Sequence, residues 1–363
     1  MGNLTTRRIA LVLALVAASL CTATLADDKN KKLAIDKVNG ELSVIVLGSG
    51  GPMPASSGRA SAGYLILTDG KPRLLMDLGG GSYQRIGESG ATIQNIDAIL
   101  LTHLHIDHMA DLSAAIKGIY FHAREHDEPR LADRPIRIFG PNVNAANQFP
   151  ASATYVETLY DASVGLERYL HTFSRAISGG EFAYEVTNLS PNPGGAITTI
   201  IDDADGLVVK SVGVFHGPVP SVAFRIEYRG HSIVYTGDTN SRMPPATLNP
   251  DATNPLSQQL IELAAGADLL IYDTAITDTE PGKVAPAPGF LGDRLFFNLH
   301  TTPATMGQIA SQANAKTLVL SHITPITEAA IDEIKDVVRA QNFSGRIKVA
   351  RDLKVYNLGG DDD

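Results

Sequence analysis

Cysteine is nearly absent from this 363-residue sequence, in which Cys21 is the only one. Cys21 lies in an N-terminal segment whose pattern predicts removal during export, which would leave the mature chain without a thiol. A chain without thiols cannot form disulfides, use a cysteine nucleophile or hold a metal through thiolates. If the protein binds a metal, histidine and carboxylate side chains must provide the ligands.

Runs of lysine and arginine are also absent. The chain has 30 Lys and Arg residues against 39 Asp and Glu residues, which gives a formal net charge of −9. Nucleic-acid-binding domains usually carry clustered basic residues, and no such cluster is visible along this chain. The charge pattern therefore predicts a substrate other than RNA or DNA.

No apolar run in the N-terminal segment is long enough to span a bilayer comfortably, which takes ~20 residues. Arg7 and Arg8 precede an apolar stretch at 9–20, and small residues follow as far as Ala26. This pattern is typical of a secretory signal peptide. It predicts a signal peptide at 1–26, a single domain at 27–363, a periplasmic or secreted location and no membrane contact after cleavage. A retained N-terminal anchor and lipidation of Cys21 are alternatives.

Short apolar segments, interrupted by glycine and proline, alternate with segments of helical periodicity. Meanders and strand–helix alternation in both halves predict an α/β (α+β) fold, a four-layer αβ/βα sandwich with two sheets inside and helices outside. We expect helices after Asp107 and near 255–266, 303–314 and 326–341. We expect strands at 42–47, 64–68, 73–77, 97–102, 207–214, 222–228, 232–236, 269–272 and 317–320.

The stretch at 141–200 departs from this rhythm. It contains four prolines, a predicted helix near 153–171 and a Gly-Pro loop at 191–195. A long inserted segment of this kind is often a lid beside a site, although a surface excursion fits the pattern equally well.

Four potential metal ligands lie within six residues after one predicted strand. His103 and His105 are two positions apart at the strand end, so their side chains project to the same side. Asp107 and His108 begin the next helix and can face a second point nearby. Imidazole and carboxylate ligands suit zinc, so this stretch predicts a metal site.

These residues form an HxHxDH pattern that resembles the metallo-β-lactamase superfamily, and the resemblance continues along the chain. His216, Asp238 in a Gly-Asp-Thr sequence, and His322 each follow a predicted strand, where that superfamily has its later motifs. The resemblance implies two divalent metal ions, expected to be Zn²⁺. It implies one ion held by His103, His105 and His216, a second held by Asp107, His108 and His322, and Asp238 as the bridge between them.

Within the superfamily, the sequence resembles the branch that contains the tRNA-trimming endonuclease tRNase Z and certain secreted arylsulfatases. The features that carry this resemblance are Gly-Ser-Gly-Gly-Pro at 48–52, Phe-Gly-Pro at 139–141 and Leu-His-Thr-Thr at 299–302. The resemblance implies that His300, at the start of a predicted helix, is catalytic and that Asp273 orients it. Together with Asp107, these are the expected catalytic residues.

Two departures from the tRNase Z pattern bear on the substrate. The chain has no evident counterpart of the basic RNA-binding arm, and Ala223-Phe224 replaces an expected Gly-Tyr. Together with the signal peptide, these departures predict a small-molecule ester substrate and no nucleic acid. The oligomeric state is left open, with a homodimer as one option.

The resulting hypothesis is a secreted, arylsulfatase-like hydrolase with two metal ions that cleaves a sulfate ester or a phosphodiester by means of a metal-bridging hydroxide. One alternative is a hydrolase of the lactonase or β-lactamase type, which would not need His300. Another is an iron-dependent persulfide dioxygenase of the same fold, which uses essentially one metal site.

Overall fold

The computed structural model describes residues 32–143, 149–244, 254–277 and 299–360. The predicted signal peptide at 1–26 lies outside these residues. Within the described ranges, no helix combines the length and the apolar character that a membrane crossing requires.

Seven strands form the first sheet, in the order β14-β1-β2-β3-β4-β5-β6. Pairing is antiparallel from β14 to β3 and parallel from β3 to β6. The strands are β1 Leu42–Gly48, β2 Gly63–Thr68, β3 Lys71–Leu78, β4 Ala98–Leu100, β5 Ile136–Pro141, β6 Tyr184–Leu189 and β14 Val355–Leu358.

The second sheet also has seven strands, in the order β13-β12-β11-β10-β9-β8-β7. Pairing is parallel from β13 to β10 and antiparallel from β10 to β7. The strands are β7 Thr198–Asp202, β8 Val208–His216, β9 Val219–Tyr228, β10 His231–Tyr235, β11 Leu269–Asp273, β12 Thr317–Ser321 and β13 Arg346–Val349.

The helices lie on the outer faces of the two sheets. The amphipathic helix predicted after Asp107 is present, broken into a short first turn and a longer second helix. The helices are α1 Ser82–Ser89, α2 Ile106–Met109, α3 Leu112–Glu125, α4 Ser152–Tyr160, α5 Tyr169–Ser178, α6 Gln258–Leu263, α7 Pro303–Gln312, α8 Pro325–Ala329 and α9 Ile331–Ala340.

Three apolar clusters account for the layering. Strand β1 is buried along its whole length because its two faces enter different clusters. Val44 and Val46 lie in the cluster between the sheets, whereas Ile45 and Leu47 pack toward the helices on the outer face of the first sheet. A third cluster joins the second sheet to α6, α7 and α9. The predicted αβ/βα sandwich is therefore confirmed.

The segment at 141–200 is part of the sandwich. Two helices, α4 and α5, replace the single helix predicted near 153–171, and they lead to β6, which pairs in parallel with β5 at the edge of the first sheet. Buried Val156, Tyr160 and Leu170 join the apolar cluster of that layer. The described part of this segment is therefore a crossover that adds a strand.

Candidate metal centre

The predicted ligands lie at one edge of the sandwich because the strands that carry them end there. His216 is the last residue of β8, Asp238 follows β10, and His322 follows β12. From the first sheet, the loop after β4 brings His103 to the same edge. His322 has a φ of 58°, a left-handed conformation that non-glycine residues rarely adopt and that clusters at functional sites.

One group of donor atoms comprises His103, His105, His216 and Asp238, all within 4.8 Å of one another. His105 Nδ1 lies 3.0 Å from His103 Nε2 and 3.5 Å from His216 Nε2. Asp238 Oδ2 lies 3.8 Å from the His103 nitrogen and 3.9 Å from that of His216. Ligands around one tetrahedral zinc ion, with bonds of ~2.0–2.1 Å, are separated by about 3.3 Å. The spacing of this group fits such an ion.

A second group comprises Asp107, His108, His322 and again Asp238. His322 Nε2 lies 3.1 Å from His108 Nε2 and 3.2 Å from Asp107 Oδ2. Asp238 approaches through both oxygens, with Oδ1 3.3 Å from His108 Nε2 and Oδ2 3.4 Å from His322 Nε2. Asp238 therefore occupies the position that a carboxylate bridging two ions requires.

The residues present fit two divalent cations. Asp238 Oδ1 and His322 Nδ1 are buried without a hydrogen-bond partner among the described residues. Buried polar atoms are normally satisfied, and a bound ion is one explanation when no protein group satisfies them. Five imidazoles and two carboxylates, without thiolates, suit zinc among the common ions. Each residue's role as a ligand stays a prediction, and so does the identity of the ion.

Burial keeps two imidazoles of the first group ready to bind a cation. It lowers the pKa of His216 to about 3 and holds the pKa of His103 well below its usual range. Both rings are therefore neutral at pH 7, which is the form that donates a lone pair to a metal ion.

The second group is a network of opposite charges in the metal-free protein. Burial would lower the pKa of His322, but the charge of Asp238, a hydrogen bond to Asp107 and the nearby Asp273 carboxylate raise it to about 10. Burial likewise opposes the protonation of His108, whose pKa is nevertheless held well above its usual range by three carboxylates, with Asp238 the strongest. Burial would raise the pKa of Asp107, but His108 and His322 bring it down to about 2. In the metal-free protein, protonation of His108 and His322 thus places positive charge where a metal cation would bind.

Asp77 holds His108 in place and was missed in the sequence. His108 Nδ1 donates to Asp77 Oδ2 at 2.7 Å, which leaves Nε2 directed at the second group. The same fully buried carboxylate accepts hydrogen bonds from the Thr102 amide, the Thr102 hydroxyl and the Tyr235 hydroxyl. Its sequence signal is an aspartate that ends an apolar strand before three glycines.

His300 and Asp273 form the expected pair beside the centre. His300 Nδ1 donates to Asp273 Oδ2 at 2.8 Å, and both side chains are buried. Burial would raise the pKa of the Asp273 carboxyl, but the adjacent His300 ring and its hydrogen bond hold it below its usual value. Asp273 Oδ1 also lies 3.4 Å from His322 Nδ1, so the same carboxylate contacts the rings of His300 and His322.

The position of His300 differs from the prediction in one respect. Helix α7 begins at Pro303, and the Thr302 side chain caps it by accepting from the Thr305 amide. His300 therefore lies two residues before the cap, in a loop whose Leu299 carbonyl accepts a hydrogen bond from His216 Nδ1 at 2.7 Å. The loop thus orients one predicted ligand while it presents His300.

Two further segments contact the predicted ligands. The glycine turn at 48–52 covers His322, since a Cβ atom on Gly51 would lie 3.0 Å from His322 Cε1. On the other side, the Phe149 ring stands edge-on to His105 with the ring centroids 5.5 Å apart. The glycine turn thus packs against a predicted ligand and forms the floor of the site.

Three of the four histidines outside the site, His122, His171 and His231, have contacts of a structural kind. His122 Nδ1 accepts from the Ile93 amide, and His171 Nε2 donates to the Tyr160 carbonyl at 2.8 Å. His231 lies near Glu41 at the opposite end of β10. None of these three belongs to a potential metal-binding group within the described residues.

A sandwich of two mixed sheets with clustered histidines and aspartates at one edge defines a class of metal-dependent hydrolases. A model of the metallo-beta-lactamase superfamily matches residues 57–322, and the chain belongs to that superfamily. This confirms the resemblance drawn from the HxHxDH pattern and with it a family of metal-dependent hydrolases, whose histidine and aspartate clusters suit divalent metal ions. The bond that this chain cleaves stays a prediction.

Relatives within the superfamily are more specific. The chain is 29% identical to ribonuclease Z of Mycolicibacterium paratuberculosis over 318 residues, which cover 86% of this chain and 96% of the relative. It is 28% identical to ribonuclease Z of Mycobacterium avium, with the same coverage.

Solved structures share the fold. The metallo-beta-lactamase fold protein YhfI from Bacillus subtilis superposes with a TM-score of 0.57 at 20% identity, covering 87% of this chain and 98% of that chain. The short form of human tRNase Z superposes with a TM-score of 0.55 at 22% identity, covering 87% of this chain and 99% of that chain. At these identities, the likeness shows the fold alone.

These relatives correct the expectations about substrate. A secreted hydrolase of small sulfate or phosphate esters that binds no nucleic acid is the wrong description, because the relatives that match nearly the whole chain are named ribonuclease Z. The lactonase and persulfide dioxygenase alternatives are set aside on the same finding. The physical source of the error is the reliance on runs of basic residues, since a fold can gather cations that are separated in the sequence.

The description as a secreted, arylsulfatase-like protein with a signal peptide likewise has no support in these relatives. Residues 1–26 lie outside the described part of the chain, so the division at residue 26 and the location of the protein stay untested predictions.

Proposed function

We propose that this chain is a metal-dependent phosphodiesterase of the ribonuclease Z type that cleaves RNA, with precursor tRNA as the substrate. The observation that carries the proposal is the match to ribonuclease Z relatives over 96% of their length. All seven predicted ligands and the His300–Asp273 pair lie within that fold at one edge. A phosphodiester also belongs to the ester class expected of the hydrolase.

Divalent ions bound by such a donor set, which we expect to be two zinc ions, supply a nucleophile by lowering the pKa of water and polarise a phosphoryl oxygen. His103, His105 and His216 would hold one ion, and Asp107, His108 and His322 the other, with Asp238 shared. The chain's own contribution is to fix these donors in a buried, rigid frame.

A phosphodiester in RNA has a poor leaving group, an alkoxide that needs a proton as it departs. In our proposal, His300 donates this proton from Nε2 while Asp273 accepts from Nδ1 and stabilises the protonated ring. Asp273 would thus be a positioning residue that fixes the tautomer of His300. The exposed Ile106, between His105 and Asp107, and the half-buried Phe149 lie beside the predicted ligands, where RNA would enter.

A substrate panel tests this proposal. The zinc-loaded enzyme is given a labelled precursor tRNA, bis-p-nitrophenyl phosphate, p-nitrophenyl sulfate and a lactone, and kcat/KM is measured for each. We expect the RNA to have the highest kcat/KM, the phosphodiester to be cleaved more slowly, and the sulfate and lactone to remain intact. Hydrolysis of the sulfate or lactone with intact RNA would refute the proposal.

A further inference from the structure

A groove lies on the open side of the sandwich, where the edge strand of one sheet faces that of the other. It has a volume of about 640 Å³ and is lined by residues of both β13 and β14. Four cationic side chains line it, against one carboxylate, Asp268. The cations are Lys316, Arg346, Lys348 and Lys354.

The charge of the groove differs from that of the whole chain. Among the described residues that line the groove, four cations against one carboxylate give a formal charge of +3, whereas the full sequence has −9. Asp268 is paired with Lys316 at 2.6 Å, which leaves the other three cations of the groove without a carboxylate that lines it.

These three cations are available to a ligand. Arg346, Lys348 and Lys354 are exposed, and their side chains form no hydrogen bond or ion pair with any residue in the described ranges. Arg346 and Lys348 are two positions apart on β13, so they project to the same face of that strand. A surface of this kind presents several cations along one line, as a polyanion requires.

The groove lies toward the end of the second sheet that is opposite the predicted ligands, because His231, Leu269 and Thr317, the first residues of β10, β11 and β12, line it. The chain crosses from β13 to β14 at 350–354, and Lys354 of this crossing lines the groove. Asp352 of the crossing accepts from the Ser49 hydroxyl at 2.7 Å, and the Ser49 carbonyl accepts from the Ile323 amide at 2.9 Å. Ile323 follows His322, so the crossing is bonded to the turn that covers this predicted ligand.

We propose that this group of cations, which we call the basic seam and which consists of Lys316, Arg346, Lys348 and Lys354, binds the phosphate backbone of the RNA substrate outside the catalytic edge. This inference rests on the proposed function and adds to it a surface for the part of the RNA that extends beyond the cleaved bond. Lysine and arginine are the residues that contact nucleic-acid phosphates, and they do so without regard to base sequence.

The seam leaves only a spaced pattern in the sequence. Three of its cations lie within nine residues, at 346 and 348 on β13 and at 354 in the crossing, but no two are adjacent, so they form no unbroken run of basic residues. The fold adds Lys316 to them, because the Arg346 amide donates to the Lys316 carbonyl at 2.9 Å.

The test compares two triple variants of the zinc-loaded enzyme. The seam variant carries Arg346→Ala, Lys348→Ala and Lys354→Ala. The control carries Lys71→Ala, Arg124→Ala and Arg175→Ala, which removes three exposed cations that do not line the groove. For each, kcat/KM toward precursor tRNA is measured as a function of salt concentration, with bis-p-nitrophenyl phosphate as a substrate too small to reach the seam.

We expect the seam variant to lose roughly 10- to 50-fold in kcat/KM for RNA near physiological salt, through KM. The slope of its plot of log kcat/KM against log salt should become less steep by about 2 to 3, which corresponds to ~0.7–0.9 for each lost phosphate contact. Hydrolysis of the small phosphodiester should match the wild type in both variants, which shows that the metal centre is intact.

Equal RNA kinetics and equal salt dependence in the two variants would refute RNA binding by the seam and would leave the proposed function in place. A wild-type enzyme that cleaves the small phosphodiester but no RNA at any salt concentration would instead refute RNA as the substrate, and the seam with it.

Discussion

Asp238 belongs to both groups of predicted ligands, so its loss affects two ions at once. We expect Asp238→Ala to lose both metal ions and to reduce activity more than His105→Ala, which removes a donor from one group only. Changes to ligands or their partners typically cost 10–100-fold or more in affinity or activity. Metal content measured by atomic emission, together with hydrolysis of bis-p-nitrophenyl phosphate, checks this. Two tightly bound ions in Asp238→Ala would show that the bridge is misassigned.

Metal binding should release protons, because two predicted ligands are protonated in the metal-free protein. The pKa of His322 is raised to about 10 and that of His108 is held well above 6.5, so the protonated, positively charged form of each ring is favoured at pH 7. A cation must displace these protons, and its affinity should therefore rise with pH through the neutral range.

Calorimetric titration of the metal-free protein with zinc, in two buffers of different ionisation enthalpy, measures the release. We expect about two protons or more per chain at pH 7. The same protonation affects the stability of the metal-free protein. Because the pKa of His322 is raised in the folded state, its protonation stabilises the fold fully at pH values below the unfolded pKa of 6.5. This contribution is lost as the pH rises from there through about 10. Zinc binding without proton release would contradict the protonation of His108 and His322 in the metal-free protein.

The role of His300 depends on the leaving group. His300→Ala should retain both ions, yet slow cleavage of RNA by ~10²–10⁴-fold, while hydrolysis of a nitrophenyl ester, whose leaving group needs no proton, slows only mildly. Asp273→Asn should show the same trend more weakly, because it accepts from His300 Nδ1 at 2.8 Å. An equal slowing of both substrates would mean that His300 positions the substrate and donates no proton.

At this scale the sequence contained most of the site. The common location of the HxHxDH stretch and of His216, Asp238 and His322 was predictable because each ends or follows a strand, and these strand ends meet at one edge. Asp77 was not found, because its importance lies in contacts with Thr102 and Tyr235, which are distant in the sequence and meet it only in the folded chain.

Among the elements, the junction of β3, β4 and β10 has the clearest energetic consequence. Asp77, the last residue but one of β3, accepts hydrogen bonds from Thr102 after β4, from Tyr235 at the end of β10 and from His108. Removing one partner from a buried, hydrogen-bonded group of this kind costs ~3–5 kcal/mol. Through these hydrogen bonds, Asp77 connects strands of both sheets with His108 of the second group of ligands.

We expect Asp77→Ala to lower the free energy of unfolding by about this amount and to weaken zinc binding by ~10–100-fold, because His108 loses its fixed orientation. Asp77→Asn should recover part of the stability, since its amide oxygen can still accept. Urea unfolding of the metal-free and zinc-loaded proteins separates the two effects. Unchanged zinc affinity in a folded Asp77→Ala variant would show that Asp77 serves the fold alone.

Several elements escaped the sequence patterns for physical reasons. Edge strands β6, β7 and β13 have mostly exposed or half-exposed side chains, so they lack the apolar runs that mark the central strands. The segment at 141–200 was interpreted as an insertion because its prolines and loop indicate irregular structure and because β6 has no apolar run. Pairing with β5, a long-range contact, makes that segment a strand.

On the scale of the whole molecule, the layered fold was predictable because central strands with both faces buried read as unbroken apolar runs. The substrate that we propose was not predictable from net charge, since −9 describes the whole chain and not the groove that the basic seam lines. Ligand spacing reports on chemistry near the metal, whereas the substrate depends on surfaces that form only in the folded chain.

The central claim is that this chain is a metal-dependent ribonuclease of the ribonuclease Z type. The most direct measurement is cleavage of an end-labelled precursor tRNA by the zinc-loaded enzyme, the chelator-treated enzyme, the enzyme with zinc restored and the zinc-treated Asp238→Ala variant. We predict one defined cleavage with the loaded enzyme, its loss on chelation, its return with zinc, and no cleavage by the variant. Intact RNA with a zinc-loaded enzyme that still hydrolyses p-nitrophenyl sulfate would contradict the claim.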